Sequence, residues 1–134
     1  MTQALDDLAN ILTLEQIDLL KFSGSGSIND GAPATFGGHF LGQATAAAYA
    51  TVQSDFVIHS LHGYFLSGGI PRQPIVYHVE NLRDGRTFCS RQVTAHQGGK
   101  EKFRLTASFT IPEHGKPFDA LAPKQFEQLP KPES

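Results

Sequence analysis

The chain is poor in the features that mark several common protein classes. It has one cysteine, Cys89, in 134 residues, so no internal disulfide can form and the composition suits a reducing compartment. No apolar run approaches the roughly 20 residues that span a bilayer. The opening stretch "MTQALDDLAN" is acidic and lacks the basic-then-apolar order of a secretory signal. The closing "PKPES" is not a peroxisomal tripeptide. Neither sign of charge dominates: 11 Lys and Arg stand against 13 Asp and Glu, which leaves no basic face for nucleic acid. No metal-ligand spacing occurs, because "HSLH" is too short for a strand-borne site without further ligands. There is no phosphate-binding loop or dinucleotide fingerprint, so no cofactor is expected. Cytosol is the compartment these absences point to.

What is present suits one globular domain, with 40% hydrophobic and 18% charged residues. Leu5, Leu8, Ile11 and Leu12 recur at helical spacing over residues 2–12, with Asp6 and Asp7 placed in the first turn, where the helix dipole favours negative charge. "DLLKFSGSGS" reads as a short strand running into a Gly/Ser loop. A second helix is predicted from Gly37 to about Val52, opening on Gly37 and Gly38 although glycine costs roughly 1 kcal/mol against alanine inside a helix. Beyond it the period changes to two. Strands are predicted over 56–66, 74–82, 87–97 and 101–112, joined by turn signals that include "RDGR" and "GGK". In the last strand Phe103, Leu105, Ala107, Phe109 and Ile111 face one way. This reads as an antiparallel meander, with Cys89 alternating with a core-facing Phe88. Gly42, Ala44, Thr45, Ala46, Ala47, Ala48 and Ala50 put small side chains nearly all round the central helix, so it is buried and the sheet must curl around it. The expected fold is α+β, a hotdog fold: a long antiparallel sheet wrapped around one central helix. Residues 1–113 form the domain, and the proline-rich 114–134 form a linker-like tail.

Four stretches carry a resemblance: "TFGGHFLGQA", "HSLHGYFLSGG", "IVYHVENLRDGRTFCSRQVTAHQGGK" and "LTASF". In that order they resemble the N-terminal half of the acyl-CoA thioesterase II family of bacteria and peroxisomes, from about Leu5 to Pro112. The resemblance implies a hotdog fold and hydrolysis of acyl-CoA to free acid and CoA. It also admits a peroxisomal location. Family chains are about twice this length. Their second half carries an Asp, a Ser or Thr, and a Gln that activate water, and this chain has no match for that triad.

The candidate site residues follow from both readings. Unpaired N–H groups near Gly38 and His39, at the helix amino end, can hold the oxyanion of thioester hydrolysis, one such donor being worth roughly 2.7–4 kcal/mol. Alternatively, the glycines only permit a tight contact with the sheet. Phe36 and Gly37, from the same motif, are placed at the substrate. His59, matched by the resemblance to a family histidine considered as a base, is a general base or a hydrogen-bonded structural residue. His62, three positions on, faces the opposite side, shares it with Ile58 and Tyr64, and lines core or pocket. Gln43 binds the loop before the helix or orients a thioester or water. Arg83 and Arg86 flank the hairpin turn and can meet CoA phosphates, or form a solvated tip. His78 and His96 read as structural or surface residues, Cys89 as packing, and Asp84 and Gly85 as turn geometry.

Acyl-CoA hydrolysis by a homodimer or higher oligomer joined at sheet edges is the leading expectation, with the acyl chain in an apolar tunnel. A non-catalytic half or acyl-binding module that needs a C-terminal hotdog partner is the second. An enoyl-CoA hydratase using Asp30 and His39 is the third.

Overall fold

The computed structural model describes residues 2–28 and 37–112. In chain order the elements are helix α1 (Thr2–Leu12), strands β1 (Glu15–Asp18) and β2 (Lys21–Gly24), helix α2 (Gly37–Tyr49), and strands β3 (Val57–Phe65), β4 (Ile75–Asp84), β5 (Phe88–Gln97) and β6 (Lys100–Thr110). The six strands form one sheet in the order β1-β2-β4-β5-β6-β3, with every neighbouring pair antiparallel. This is the hotdog arrangement. No helix among the described residues is long and apolar enough to cross a membrane.

Several local expectations change. The stretch read as a short strand running into a loop holds β2, and an unforeseen strand before it, β1, pairs with β2 as a hairpin with a bulge between Gln16 and Asp18. Asp6 and Asp7 fall beyond the first turn of α1. The predicted continuation of α2 to Val52 tightens instead, with Thr51 and Val52 donating to carbonyls three residues back. The meander is real for β4, β5 and β6. β3, however, pairs with β6 at the far side of the sheet rather than with β4. The expected 114–134 tail lies outside the described residues.

The β5–β6 connection shows why "GGK" marks a turn. Gly98 and Gly99 both have positive φ, 57° and 77°, the backbone a two-residue hairpin of the twisted kind requires and side chains resist.

The core lies between α2 and one face of the sheet. Ala44, Ala47 and Ala48 are fully buried against it, with Ile75, Tyr77, Val93, Phe103, Leu105 and Phe109. The helix is buried along one broad stripe rather than all round: Tyr49 and Ala50 are exposed. Alanines on this stripe let the strands come close, but their side chains are too short to interlock with the sheet.

The carboxyl end of α2 is held by Arg91, which is 4% exposed. Its Nε donates to Thr51 Oγ1 at 2.9 Å. Its Nη1 donates to the carbonyls of Arg83 and Ser90. Its Nη2 donates to the Thr51 carbonyl and meets Asp84 Oδ1 at 2.7 Å. All five N–H groups are therefore engaged. Thr51 Oγ1 in turn donates to the Ala48 carbonyl at 2.9 Å, so a cation reaches the helix end where the dipole favours one. Arg91→Ala strands these carbonyls and is expected to cost about 2–4 kcal/mol in urea unfolding. Asp84→Asn removes only the exposed partner and is expected to cost under about 1 kcal/mol.

Candidate active site

The two glycines open α2 as predicted, and the group that comes close to Gly37 is part of the protein. A Cβ at Gly37 would stand 2.8 Å from Cε1 of Phe65. Phe65 lies against Phe103, centroids 5.0 Å apart, and Phe103 stacks on Phe40 at 5.8 Å. The contact with the sheet thus accounts for Gly37. Gly38 is exposed, at the helix end whose dipole favours a negative charge. Phe36 and Asp30 lie outside the described residues.

One turn further in, the polar side chains of α2 face the protein. His39 Nε2 is 2.7 Å from the Ser25 carbonyl. Because a carbonyl only accepts, this nitrogen carries the hydrogen. Gln43 is fully buried. Its Nε2 donates to the carbonyls of Ile11 and Ser25, at 2.8 and 3.0 Å. Its Oε1 accepts from Tyr77 Oη at 2.7 Å. Burial pushes the Tyr77 phenol far above its usual range, so it stays a neutral donor. Gln43 thus binds the loop before α2, one of the two roles expected of it, and its amide is held by α1 and β4 as well.

The histidines of β3 also depart from expectation. A bulge between Ile58 and Ser60 shifts the alternation. Ile58 stands opposite buried Phe109, while His62 stands opposite Thr106 on the outer face. His59 reaches that same outer face, with Nε2 2.8 Å from Ser108 Oγ and its ring edge-on to Phe88 at 5.9 Å. His59 and His62 therefore share a face, and His62 does not share one with Ile58. Six residues of strand separate His59 from Phe65, about 20 Å. The structure brings neither histidine to Gly38 or His39, and α2 packs on the other side of the sheet.

Arg83 and Arg86 are exposed on the β4–β5 hairpin, near the opposite end of α2, whose 13 residues span about 20 Å. Here a cavity of ≈ 500 Å³ opens, lined by Val52, Phe56 and Cys89, with Gln53, Asn81 and Arg86 among its polar residues. The phase of β5 is the reverse of that expected: Cys89 faces the core at 2% exposure and Phe88 faces out. Burial, then the nearby Asp84 carboxylate, push the Cys89 thiol up, against the pull of Arg91.

Comparison with known proteins decides the family. Residues 25–110 match the family model described as acyl-CoA thioesterase N-terminal domain. This chain belongs to the acyl-CoA thioesterase family. It is 42% identical over 115 residues to acyl-CoA thioesterase 2 of Haemophilus influenzae, covering 86% of this chain and 40% of that protein. It is 41% identical over 100 residues to peroxisomal acyl-coenzyme A thioester hydrolase 1 of Saccharomyces cerevisiae, covering 75% of this chain and 28% of that one. The crystal structure of acyl-CoA thioesterase II TesB2 from Mycobacterium marinum superposes with a TM-score of 0.73 at 40% identity, covering 83% of this chain and 40% of that chain. The chain thus spans less than half the length of each of these three relatives.

Within this thioesterase domain, sequence reasoning missed the partners rather than the candidates. Ser108 beside His59, Tyr77 beside Gln43 and Phe65 beside Gly37 are brought there by pairings between distant strands and helix. One more pair was not foreseen. His78 and His96, on β4 and β5, lie edge to face with centroids 4.8 Å apart. His96 Nε2 sits 2.9 Å from Thr94 Oγ1, and Lys21 stands directly opposite His78. Desolvation, then the charges of His96 and Lys21, hold the His78 pKa below its usual 6.5. A lowered histidine pKa means the unfolded chain binds the proton more readily, so stability is full above about pH 6.5 and falls as pH drops through the folded value. The urea midpoint is expected to fall between pH 6.5 and 5, and less steeply in His78→Gln. Tyr77→Phe, which strips Gln43 Oε1 of its donor, is expected to lower stability by about 1–3 kcal/mol at pH 7.

Proposed function

We propose that this chain is one hotdog of an acyl-CoA hydrolase, and that it cleaves the thioester to a free acid and CoA when a second hotdog docks along β3. The observation that carries this is the free edge of β3. Among the described residues β3 pairs with β6 on one side only, and Leu61, Tyr64, Phe65 and Leu66 are exposed along or just beyond it. A long apolar edge is a template for pairing. The other edge of the sheet, β1, is four residues long, interrupted by a bulge, and carries Glu15 and Asp18, the devices that deter pairing.

Two β3 strands paired antiparallel reverse one hotdog relative to the other. The glycine end of each α2 then falls beside the hairpin end of its partner. This joins the helix amino end, which can hold an oxyanion through the N–H groups of Gly38 and His39, to a hairpin that presents Arg83 and Arg86 to the phosphates of CoA. The water-activating base comes from the second hotdog, where the resemblance puts it. His59 keeps a positioning contact with Ser108. The second hotdog is a C-terminal domain of the family kind, and a second copy of this chain is the other occupant to test.

Thiol release from a panel of acyl-CoAs, read at an oligomeric state fixed by light scattering, tests this reading. The monomer is expected to be inactive and to gain turnover when mixed with a C-terminal hotdog from a full-length relative. Leu61→Lys is expected to block docking and lower turnover at least tenfold. Full turnover by a strictly monomeric chain, no turnover in the docked pair, or a hydrated acyl-CoA as product would overturn it.

A further inference from the structure

The cavity at the carboxyl end of α2 borders the Arg91 anchor, through Thr51, Asp84 and Arg91, but part of its lining takes no part in that anchor. At ≈ 500 Å³ it has room for roughly 16 water-sized groups, taking a share of about 30 Å³ each, which is the bulk of a small extended organic arm. Its buried apolar lining is Phe56 and Cys89. Its exposed lining is two carboxamides, Gln53 and Asn81, and the guanidinium of Arg86. Arg91 also lines it, but has no N–H to spare, and Asp84 is tied to Arg91. Arg86 has no ion pair among the described residues, and Arg83 adds a second positive charge on the same hairpin.

A hydrocarbon chain placed here would strip water from the carboxamides and the cation and return nothing to them. An arm with its own amides, some apolar surface and an anionic end would satisfy all three kinds of lining. We infer that this cavity receives the pantetheine arm of coenzyme A, with its amides toward Gln53 and Asn81 and its phosphate-bearing end toward Arg86. The inference deepens the thioesterase reading and takes its ligand class from it. The acyl group then lies beyond the cavity, in the direction of the docked hotdog, and the hairpin end of this domain is the coenzyme side of the site.

Cys89 is the sole cysteine and lines the cavity, so its modification by an aromatic disulfide reports occupancy. The purified chain is treated with the reagent in the presence of desulfo-CoA, which has the arm and phosphates but no thiol. Desulfo-CoA is expected to slow modification at least fivefold and saturably, while adenosine 3′,5′-bisphosphate and dodecanoate are not. Arg86→Glu, at an exposed position, is expected to raise the half-protecting concentration about tenfold. A calorimetric titration with desulfo-CoA gives a second readout should Cys89 react too slowly, and Cys89→Met, which fills the cavity, is expected to weaken binding there. Protection by dodecanoate would make the cavity an acyl pocket and overturn the inference. Protection by the nucleotide alone, or no binding of desulfo-CoA, would also overturn it. Binding by a chain that neither docks nor turns over would leave the inference standing and remove the hydrolase proposal. Turnover in the docked pair without binding at Cys89 would do the reverse.

Discussion

Everything in this domain depends on holding one central helix in position against the sheet. The buried stripe of α2 has a single large apolar side chain, Phe40, stacked on Phe103 near the amino end, followed by Ala44, Ala47 and Ala48. Beyond Phe40 the stripe packs through methyl groups, which let the sheet close tightly but give it little to grip. The protein fixes the helix with buried polar contacts at both ends. Near the amino end, Gln43 and His39 bind the Ser25 carbonyl, and Tyr77 donates to Gln43. At the carboxyl end, Arg91 gathers Thr51, the β4–β5 hairpin and Asp84. Polar groups in an apolar setting are costly unless paired, so each of these contacts tolerates little displacement.

These anchors also fix which polar groups of α2 are taken: His39 Nε2 is held by the Ser25 carbonyl, and the Gln43 amide by Ile11, Ser25 and Tyr77. They also brace the hairpin that carries Arg83 and Arg86. The two ends are about 20 Å apart along α2.

The fold was legible in the sequence wherever local pattern determines structure. The alternation of β6 and the paired glycines before it predicted a strand and a turn, and both are present. The small residues of α2 predicted a wrapped helix for a reason that needs no knowledge of the partners. The site was less legible because its partners come from strands distant in sequence. The bulge between Ile58 and Ser60 reverses the face of every residue after it relative to those before. No residue in "VIHSLHGYF" announces it, so spacing alone put His59 and His62 on opposite sides. The same error of phase reversed Phe88 and Cys89: the "RDGR" signal located the hairpin correctly, but did not say which residue of β5 enters the core first. The candidate residues came largely from motif resemblance, and that source carries no geometry.

The bulge links the last of these errors to the edge that matters most. Bulges bend and twist a strand, and edge strands commonly use them to spoil pairing. On β3 the bulge sits at the beginning, between Ile58 and Ser60, and the strand then runs in regular register from Ser60 to Phe65 against β6. It turns His59 toward Ser108 and away from the free edge, and leaves the straight remainder, with Leu61, Tyr64 and Phe65, open. A bulge placed to guard an edge would interrupt that apolar run. This one lies outside it, while the bulge in β1 falls inside a strand of four residues. Among the described residues the two edges of one sheet thus differ in kind: β1 is short, bulged and charged, while β3 carries a long, regular apolar run.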